Sequence, residues 1–276
     1  MSMTVRTNVA SLMAQGSLGR TNKNLANSLA RVSSGMRINK AADDAAGLGV
    51  ATNLETSVSS TRVAMRNTND GISIIQTAES ASNEVTDILQ RMRELAVQSA
   101  SETLDDDERS YIQDEFLELS EEVERISAVT EFNGVALTNN TSTQIDVQVG
   151  IQNATTSRIS IDLGDLRATA LGVASTQISL SNVTSAQEAL DSLDTALDSV
   201  NSVRSGLGAV QNRLDSALNN AQVYTEALSS AEASIRDTDF AKETSELTKM
   251  QIMQQAGVAA LAQAKNINQS VISLLS

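Results

Sequence analysis

The 276-residue sequence contains no proline, cysteine, histidine or tryptophan. The absence of cysteine excludes disulfides and thiol chemistry, and the absence of histidine removes the commonest general base and metal ligand. Proline interrupts helices, so its absence leaves long helices unbroken. We therefore expect a helical structural protein that has no catalytic residues, binds no cofactor or metal, and is not an enzyme.

Aromatic residues make up only 2% of the sequence, although 41% of it is hydrophobic. Its core must be built from aliphatic side chains, as in the thin seams between packed helices. The net charge of −14 disfavours nucleic acids and anionic membranes as partners. The N-terminus lacks the apolar stretch of a cleaved secretory signal, and no apolar run reaches the ~18 residues of a membrane span. These features predict a protein that is cytosolic or that leaves the cell without a cleaved signal.

Apolar residues recur every three or four positions over most of the chain, which is the spacing of an amphipathic helix. The first stripe should end near Gly35, and the second covers residues 54–95, as one helix or as two that meet near Gly71. A third helix follows the acidic residues 105–108 and should end near Phe132-Asn133-Gly134. Three helical segments are therefore predicted in the first half of the chain.

The last long helix is predicted to begin near Ser185 and to reach Leu228. At 1.5 Å per residue it spans on the order of 65–75 Å, which is too long for the core of a compact domain. Such a helix needs a long antiparallel partner, and the stripe over residues 54–95 has the matching length.

Two short segments change to the alternating period of a half-buried strand. They contain Ile145, Val147 and Val149, followed by Ile159, Ile161 and Leu163. Turn-forming residues lie between them, so we predict a β-hairpin near residues 140–175. The expected fold is therefore mainly α: a long antiparallel helical coiled-coil rod with a small β-hairpin region.

The two ends of the chain carry further apolar seams. The C-terminal seam steps by three and four residues from Met250 to Leu274, which is the coiled-coil period. Seams without a local partner favour pairing with each other or with another copy, which predicts self-association. The candidate assembly residues are Val5, Val9, Leu12, Leu25, Leu29, Val32, Met250, Met253, Ala260, Ala264, Ile267, Val271 and Leu274. We expect residues 1–42 and 237–276 to form a terminal helical assembly domain and residues 43–236 a helical rod domain with the hairpin.

Some sequence features could be taken for binding sites. Gly206-Leu207-Gly208 resembles the start of a phosphate-binding motif, but Gln211 occupies the third glycine position and no strand precedes it. A helix with two small residues under a close neighbour is the favoured interpretation. Paired carboxylates in residues 43–44, 105–108 and 237–239 could bind metal or act as acid and base. Adjacent carboxylates on a helix point in different directions, so capping of helix N-termini is the better interpretation.

Longer segments of the chain closely resemble the bacterial flagellin family, in order and at the family's spacing. The N-terminal segments are residues 8–12 (NVASL), 33–39 (SSGMRIN), 41–48 (AADDAAGL), 66–73 (RNTNDGIS), 90–98 (QRMRELAVQ) and 132–134 (FNG). The C-terminal segments are residues 207–214 (LGAVQNRL), 231–239 (AEASIRDTD) and 271–275 (VISLL). Only about 50 residues separate Gly134 from the last long helix, as expected of a short form that lacks the outer variable domains.

The resemblance implies a structural subunit that polymerises into the bacterial flagellar filament for motility, with its terminal helices paired in the filament. It implies an extracellular protein that the flagellar type III apparatus exports without a cleaved signal peptide. The partners it implies are copies of the chain itself, hook-associated and cap proteins, and an export chaperone at the C-terminal helix.

Two other functions remain open from the sequence: a hook–filament junction protein of the same superfamily, and a coiled-coil adaptor. The matches over residues 90–98 and 207–214 favour flagellin over the junction protein.

Many flagellins carry a site that a Toll-like innate receptor recognises, and its motif matches Arg91, Leu95 and Glu115 here. Leu274-Leu275 is similar to the part that cytosolic innate receptors sense. Host innate receptors are therefore hypothetical partners.

Overall fold

A computed structural model of the chain describes residues 7–139 and 144–273, without the side chains of residues 267–273. In these ranges the long helices are α1 (Val9–Ser34), α2 (Ala45–Ser99), α3 (Asp106–Val129), α4 (Val183–Arg236) and α5 (Phe240–Ser273). The strands are β1 (Glu131–Phe132), β2 (Val135–Ala136), β3 (Gln144–Gln148) and β4 (Arg158–Asp162), with a 3-10 turn at Thr155–Ser157. The prediction of a mainly α fold with a small β-hairpin region is confirmed.

The chain divides into two compact units. The terminal unit consists of the residues up to Thr56 together with those from Ala227 onward, and the central unit is Ser57–Glu226. The boundaries between the units therefore fall within α2 and α4. The predicted domain boundaries, at residues 42/43 and 236/237, lie in the loops before α2 and α5 and stay a prediction.

Polar side chains begin the long helices where the sequence predicted caps. Asp44 accepts a hydrogen bond from the Gly47 N–H at 2.9 Å before α2, and Asp239 accepts from the Ala241 N–H at 3.0 Å before α5. Asp105 and Glu108 form a complete capping box at the start of α3. These carboxylates satisfy amide groups that a helix leaves unpaired in its first turn. The capping interpretation is confirmed at all three places.

Gly71 lies within α2, which is one continuous helix rather than two helices that meet there. The glycine makes room for the β3–β4 hairpin, because a Cβ atom at this position would lie 2.9 Å from Val147 Cγ2. A glycine inside a helix costs about 1 kcal/mol relative to alanine. The close approach of β3 gives a packing reason for that cost.

Strands β3 and β4 pair antiparallel, with Ile145 opposite Ile161 and Val147 opposite Ile159. This register places the predicted alternating residues side by side and confirms the hairpin. A second, smaller hairpin pairs β1 with β2. Both residues of its turn, Asn133 and Gly134, have positive φ angles of 51° and 77°, as in a type I′ turn. As a result α3 ends at Val129, slightly before the predicted end.

The core of the central unit consists of two clusters of buried side chains. The first joins α2, α3, the irregular segment 163–182 and the first half of α4, around Phe116, Leu89 and Leu193. The second joins α2, the β3–β4 hairpin and the next part of α4, around Ile75 and Leu207. As residue numbers fall along α2 they rise along α4, so the two helices are antiparallel, as predicted.

Side-chain hydrogen bonds hold the irregular segment 163–182 against α2 and α3. Ser99 Oγ donates to the Leu180 carbonyl at 2.7 Å, and Ser120 Oγ donates to the Val173 carbonyl at 2.9 Å. Such bonds satisfy backbone groups that lack a helix or strand partner.

Among the helices in the described ranges, none combines the length and the apolar character needed to cross a membrane.

Candidate self-assembly surface

Helices α1 and α5 pair within the terminal unit and run antiparallel. Asn8 Nδ2 donates to the Ala264 carbonyl at 2.8 Å near one end, and Ser28 Oγ donates to Glu243 Oε1 at 2.6 Å near the other. Between these bonds, Leu18 packs on Gly257, whose Cβ position lies 3.2 Å from Leu18 Cδ1. The predicted pairing of the terminal helices is therefore present within one chain.

The seam between α1 and α5 follows steps of three and four residues on both helices. Its buried or half-buried positions include Ser11, Ala14, Leu18, Thr21, Leu25, Ser28 and Val32 on α1, and Leu247, Met250, Gln254, Gly257, Leu261 and Ala264 on α5. About half of these side chains are polar or very small. The seam therefore buries little apolar surface for its length.

The outer apolar residues, as we call them, lie outside this seam and are exposed. They are Val9, Leu12, Met13 and Leu29 on α1, and Phe240, Ile252, Met253 and Val258 on α5. Single exposed apolar residues are common on protein surfaces, whereas several that lie close together are typical of a surface that another protein covers. The paired terminal helices thus keep apolar surface exposed in addition to the surface that they bury against each other.

The candidate assembly residues divide between the two surfaces. Leu25, Val32, Met250 and Ala264 lie in the α1–α5 seam, whereas Val9, Leu12, Leu29, Met253 and Ala260 are exposed outside it. Ile267 and Val271 belong to α5, but their side chains are not described, and Val5 and Leu274 lie outside the described residues. The role of the whole set in assembly stays a prediction.

The apolar stripes predicted from the sequence include residues of both surfaces. Met253 and Ala260 of the C-terminal stripe are exposed, and Gln254 and Leu261 lie in the α1–α5 seam. On α1, the buried positions include Ser11 and Ser28. A polar side chain can occupy a seam when it has a hydrogen-bond partner, as Ser28 has in Glu243. Only the heptad spacing of these small polar residues could have revealed them in the sequence.

The loops before α2 and before α5 are joined at the base of the α1–α5 pair. Met36 and Asp237 form an antiparallel β-bridge. The Arg37 N–H donates to the Arg236 carbonyl at 2.7 Å, and the Thr238 N–H donates to the Gly35 carbonyl at 2.9 Å. This bridge fixes the end of α1 relative to the start of α5.

Arg91 and Glu115, two of the three candidate receptor residues, form an exposed ion pair in the central unit. Arg91 Nη2 lies 2.7 Å from Glu115 Oε1, and Arg91 Nη1 lies 3.0 Å from Glu94 Oε2. Hydrogen bonding to Glu115 and Glu94 raises the pKa of the Arg91 guanidinium. Leu95 is only 1% exposed and lies in the core, so it can support this surface but is not available for contact. Receptor recognition stays a prediction.

Gly206-Leu207-Gly208 lies inside α4, and Leu207 is buried. The helical interpretation of these residues is confirmed. The expected close neighbour is wrong for the part of the chain that the structure describes, because no atom beyond the adjoining residues and the surrounding helix backbone lies within 4 Å of a Cβ position at Gly206 or Gly208.

Comparisons with known proteins point in one direction. The family model for the bacterial flagellin N-terminal helical region matches residues 5–143. The family model for the bacterial flagellin C-terminal helical region matches residues 190–275. A flagellin of Halalkalibacterium halodurans is 41% identical over 99% of this chain and 100% of its own length.

Two further proteins extend the comparison. A flagellar filament 33 kDa core protein of Treponema phagedenis is 38% identical, again over 99% of this chain and 100% of its own. The crystal structure of Bacillus cereus flagellin superposes with a TM-score of 0.50 at 29% identity, covering 56% of this chain and 88% of that one.

Proposed function

Because the chain belongs to the bacterial flagellin family and is a structural subunit of the flagellar filament, we propose that its outer apolar residues form the contacts between subunits. The observation that carries this proposal is the exposure of Leu12 and Leu29 on a helix pair whose seam is already filled. The names of the relatives, flagellin and filament core protein, favour the filament over the hook–filament junction or a coiled-coil adaptor.

The physical driving force in this proposal is the removal of apolar surface from water. Each exposed leucine or valine that a neighbouring subunit covers contributes on the order of 1–2 kcal/mol. The partner also limits the freedom of α1 and α5, and this ordering opposes assembly. The balance makes polymerisation reversible and sensitive to single substitutions among the outer apolar residues.

The remaining partners belong to the same proposal. Hook-associated and cap proteins would contact the ends of the polymer, and an export chaperone would cover the C-terminal helix before assembly. Exposed Ile252 and Val258 on α5 support a chaperone of this kind, because they need a cover in a free subunit. Export without a cleaved signal peptide, to an extracellular filament, completes the proposal.

Recognition by a host innate receptor is proposed for the exposed pair of Arg91 and Glu115. A receptor that replaces Glu115 as the partner of Arg91 would form a new charge-assisted hydrogen bond. The double variant Arg91→Ala/Glu115→Ala should lose receptor signalling in reporter cells. Unchanged signalling by a correctly folded double variant would end this part of the proposal.

Seeded filament growth tests the assembly proposal. Leu12→Asn and Leu29→Asn remove outer apolar side chains that are each 57% exposed, and the control Val129→Asn alters a central-unit side chain that is 58% exposed. We expect each leucine variant to elongate seeds roughly tenfold more slowly than the unaltered chain, as measured by electron microscopy. The control should elongate normally.

Two results would count against the proposal. Normal elongation by both leucine variants would show that these side chains are not covered in the filament. Equal losses in the leucine variants and in Val129→Asn would show that any exposed apolar residue matters, whichever unit carries it. Circular dichroism of each variant separates a folding defect from an assembly defect.

A further inference from the structure

Methionine is the only sulfur-containing residue in this chain. The sequence has eight methionines and no cysteine, tryptophan or histidine. Peroxides convert a methionine thioether to its sulfoxide, and exposed methionines react before buried ones. Mild oxidation of the protein is therefore directed to its methionines, and their exposure decides which of them react.

The exposed methionines in the described part of the chain lie in the terminal helices. Met13 on α1 is 71% exposed and Met253 on α5 is 40% exposed. Met92 on α2 is 0% exposed in the core of the central unit. Met36, Met65 and Met250 are half-buried, and Met1 and Met3 lie outside the described residues. Oxidisable sulfur is thus concentrated where the terminal unit meets solvent.

We propose that Met13 and Met253 are oxidation sites through which a peroxide blocks the addition of free subunits to the filament. This inference rests on the proposed role of the outer apolar residues. In the reaction the thioether sulfur takes one oxygen atom from hydrogen peroxide, whose O–O bond breaks. The products are methionine sulfoxide and water, so that sulfur is oxidised by two electrons and peroxide is reduced by two.

The chemical change explains the loss of assembly. A thioether is flexible and apolar, and it packs well against irregular apolar surfaces. The sulfoxide oxygen is a hydrogen-bond acceptor, and its burial without a donor is unfavourable. A neighbouring subunit that covers Met13 or Met253 also shields it from peroxide. Free subunits are therefore sensitive to the oxidant, and subunits within a filament are protected.

The first experiment maps oxidation in the whole chain, both as free subunits and as assembled filaments. The chain is treated with increasing hydrogen peroxide, and sulfoxide at each methionine is quantified by peptide mass spectrometry. We expect Met13 and Met253 to oxidise several-fold faster than Met92. Oxidation of Met92 at an equal rate, or no difference between free and assembled chains at Met13 and Met253, would overturn the inference.

The second experiment measures seeded elongation by peroxide-treated subunits, each relative to its own untreated sample. We expect a roughly tenfold loss for the natural chain and recovery of elongation after treatment with methionine sulfoxide reductases. The double variant Met13→Leu/Met253→Leu should be resistant to peroxide. The matched variant Met65→Leu/Met92→Leu should be as sensitive as the natural chain.

The outcomes distinguish this inference from the proposed function. If Met13→Leu/Met253→Leu loses as much elongation on peroxide treatment as the natural chain, the sensitive methionines lie elsewhere and the inference fails. If untreated natural subunits do not elongate filament seeds at all, the proposed function fails instead. Normal elongation by fully oxidised subunits would leave the proposed function intact and remove the oxidation control.

Discussion

The central unit and the terminal unit both pack long helices against each other, but they do so with different side chains. In the central unit Phe116, Leu89 and Leu193 are fully buried between helices. In the α1–α5 pair, no large apolar side chain up to residue 266 is fully buried, and the buried positions are Ser11 and Ser28. Because burial of large apolar side chains supplies most folding stability, we expect the central unit to be more stable in the free subunit than the α1–α5 pair.

The two kinds of seam also differ in what they leave exposed. Most of the apolar residues of α3 face the core, whereas the α1–α5 pair keeps Val9, Leu12 and Ile252 in solvent. This difference predicts that the central unit is stable in the free subunit, and that assembly covers the exposed apolar residues of α1 and α5. The following predictions test whether stability and assembly are separated between the units.

The largest effect is expected in the first core cluster. Phe116→Ala should lower the free energy of unfolding by about 3–5 kcal/mol, because it leaves a cavity that the neighbouring helices fill only in part. Urea denaturation followed by circular dichroism measures this loss. Tyr111→Ala, on the exposed side of the same helix, should change the free energy by less than about 0.5 kcal/mol. Similar losses in both variants would contradict the assignment of stability to this cluster.

Gly71→Ala should come next in size. The new Cβ atom would lie 2.9 Å from Val147 Cγ2, and overpacking of this kind costs about 1–3 kcal/mol. The better helix propensity of alanine returns about 1 kcal/mol, so we expect a net loss of about 1 kcal/mol. Adding Val147→Ala should remove the clash, and the double variant should be less destabilised than the sum of the single ones. If the losses of unfolding free energy in the two single variants simply add in the double variant, the two residues are not in steric conflict.

Two glycines with open surroundings, one in each unit, test whether the two units unfold separately. Gly208 in α4 and Gly16 in α1 both have open space at their Cβ positions. Gly208→Ala should stabilise the central unit by about 0.5–1 kcal/mol in denaturation. Gly16→Ala should slow hydrogen exchange in α1 without moving the unfolding midpoint of the central unit. A shift of that midpoint by Gly16→Ala would show that the two units unfold together.

The smallest effect concerns the exposed ion pair of Arg93 and Asp194, which joins α2 to α4 at 2.6 Å. The hydrogen bond from Arg93 lowers the pKa of the Asp194 carboxyl below its ordinary value. A lowered folded-state pKa contributes stability above the unfolded pKa of about 3.9, and this stability is lost as the pH falls through the folded value. Asp194→Asn should therefore lower the thermal midpoint slightly at pH 7.

The same substitution should have no effect at a pH below both values, where the carboxyl is protonated in either state. Asp191→Asn, at an exposed position of the same helix, is the matched control at both pH values. An equal effect of Asp194→Asn at neutral and acid pH would mean that its ionisation does not contribute.

Much of the local structure could be predicted because its signals lie within a few residues of one another. The caps at Asp105 and Asp239 and the strands of the β3–β4 hairpin are examples. The β1–β2 hairpin was missed although Asn133-Gly134 is a strong turn signal, because the helical stripe of α3 was extended up to it. The irregular segment 163–182 could not be predicted, since its backbone is held by side chains far away in sequence, such as Ser99 and Ser120.

The candidate site was predicted only in part. Periodicity selected the terminal helices, but it could not separate the α1–α5 seam from the outer apolar residues. Met250 and Met253 are equally apolar in the sequence, yet one is half-buried in the seam and the other is exposed. Leu95 was selected with Arg91 by motif alone, and its burial depends on helices that are distant in the chain.

For this protein the sequence by itself determined the helices, their caps, the alternating strands and the family, because each depends on nearby residues or on their order. The tertiary structure alone decided which sides of α1 and α5 meet, why Gly71 is tolerated in α2, and which apolar residues remain exposed. Those features depend on contacts such as Ser28 with Glu243 and Val147 with Gly71. Such contacts join distant segments, and no local pattern encodes which surface will face which.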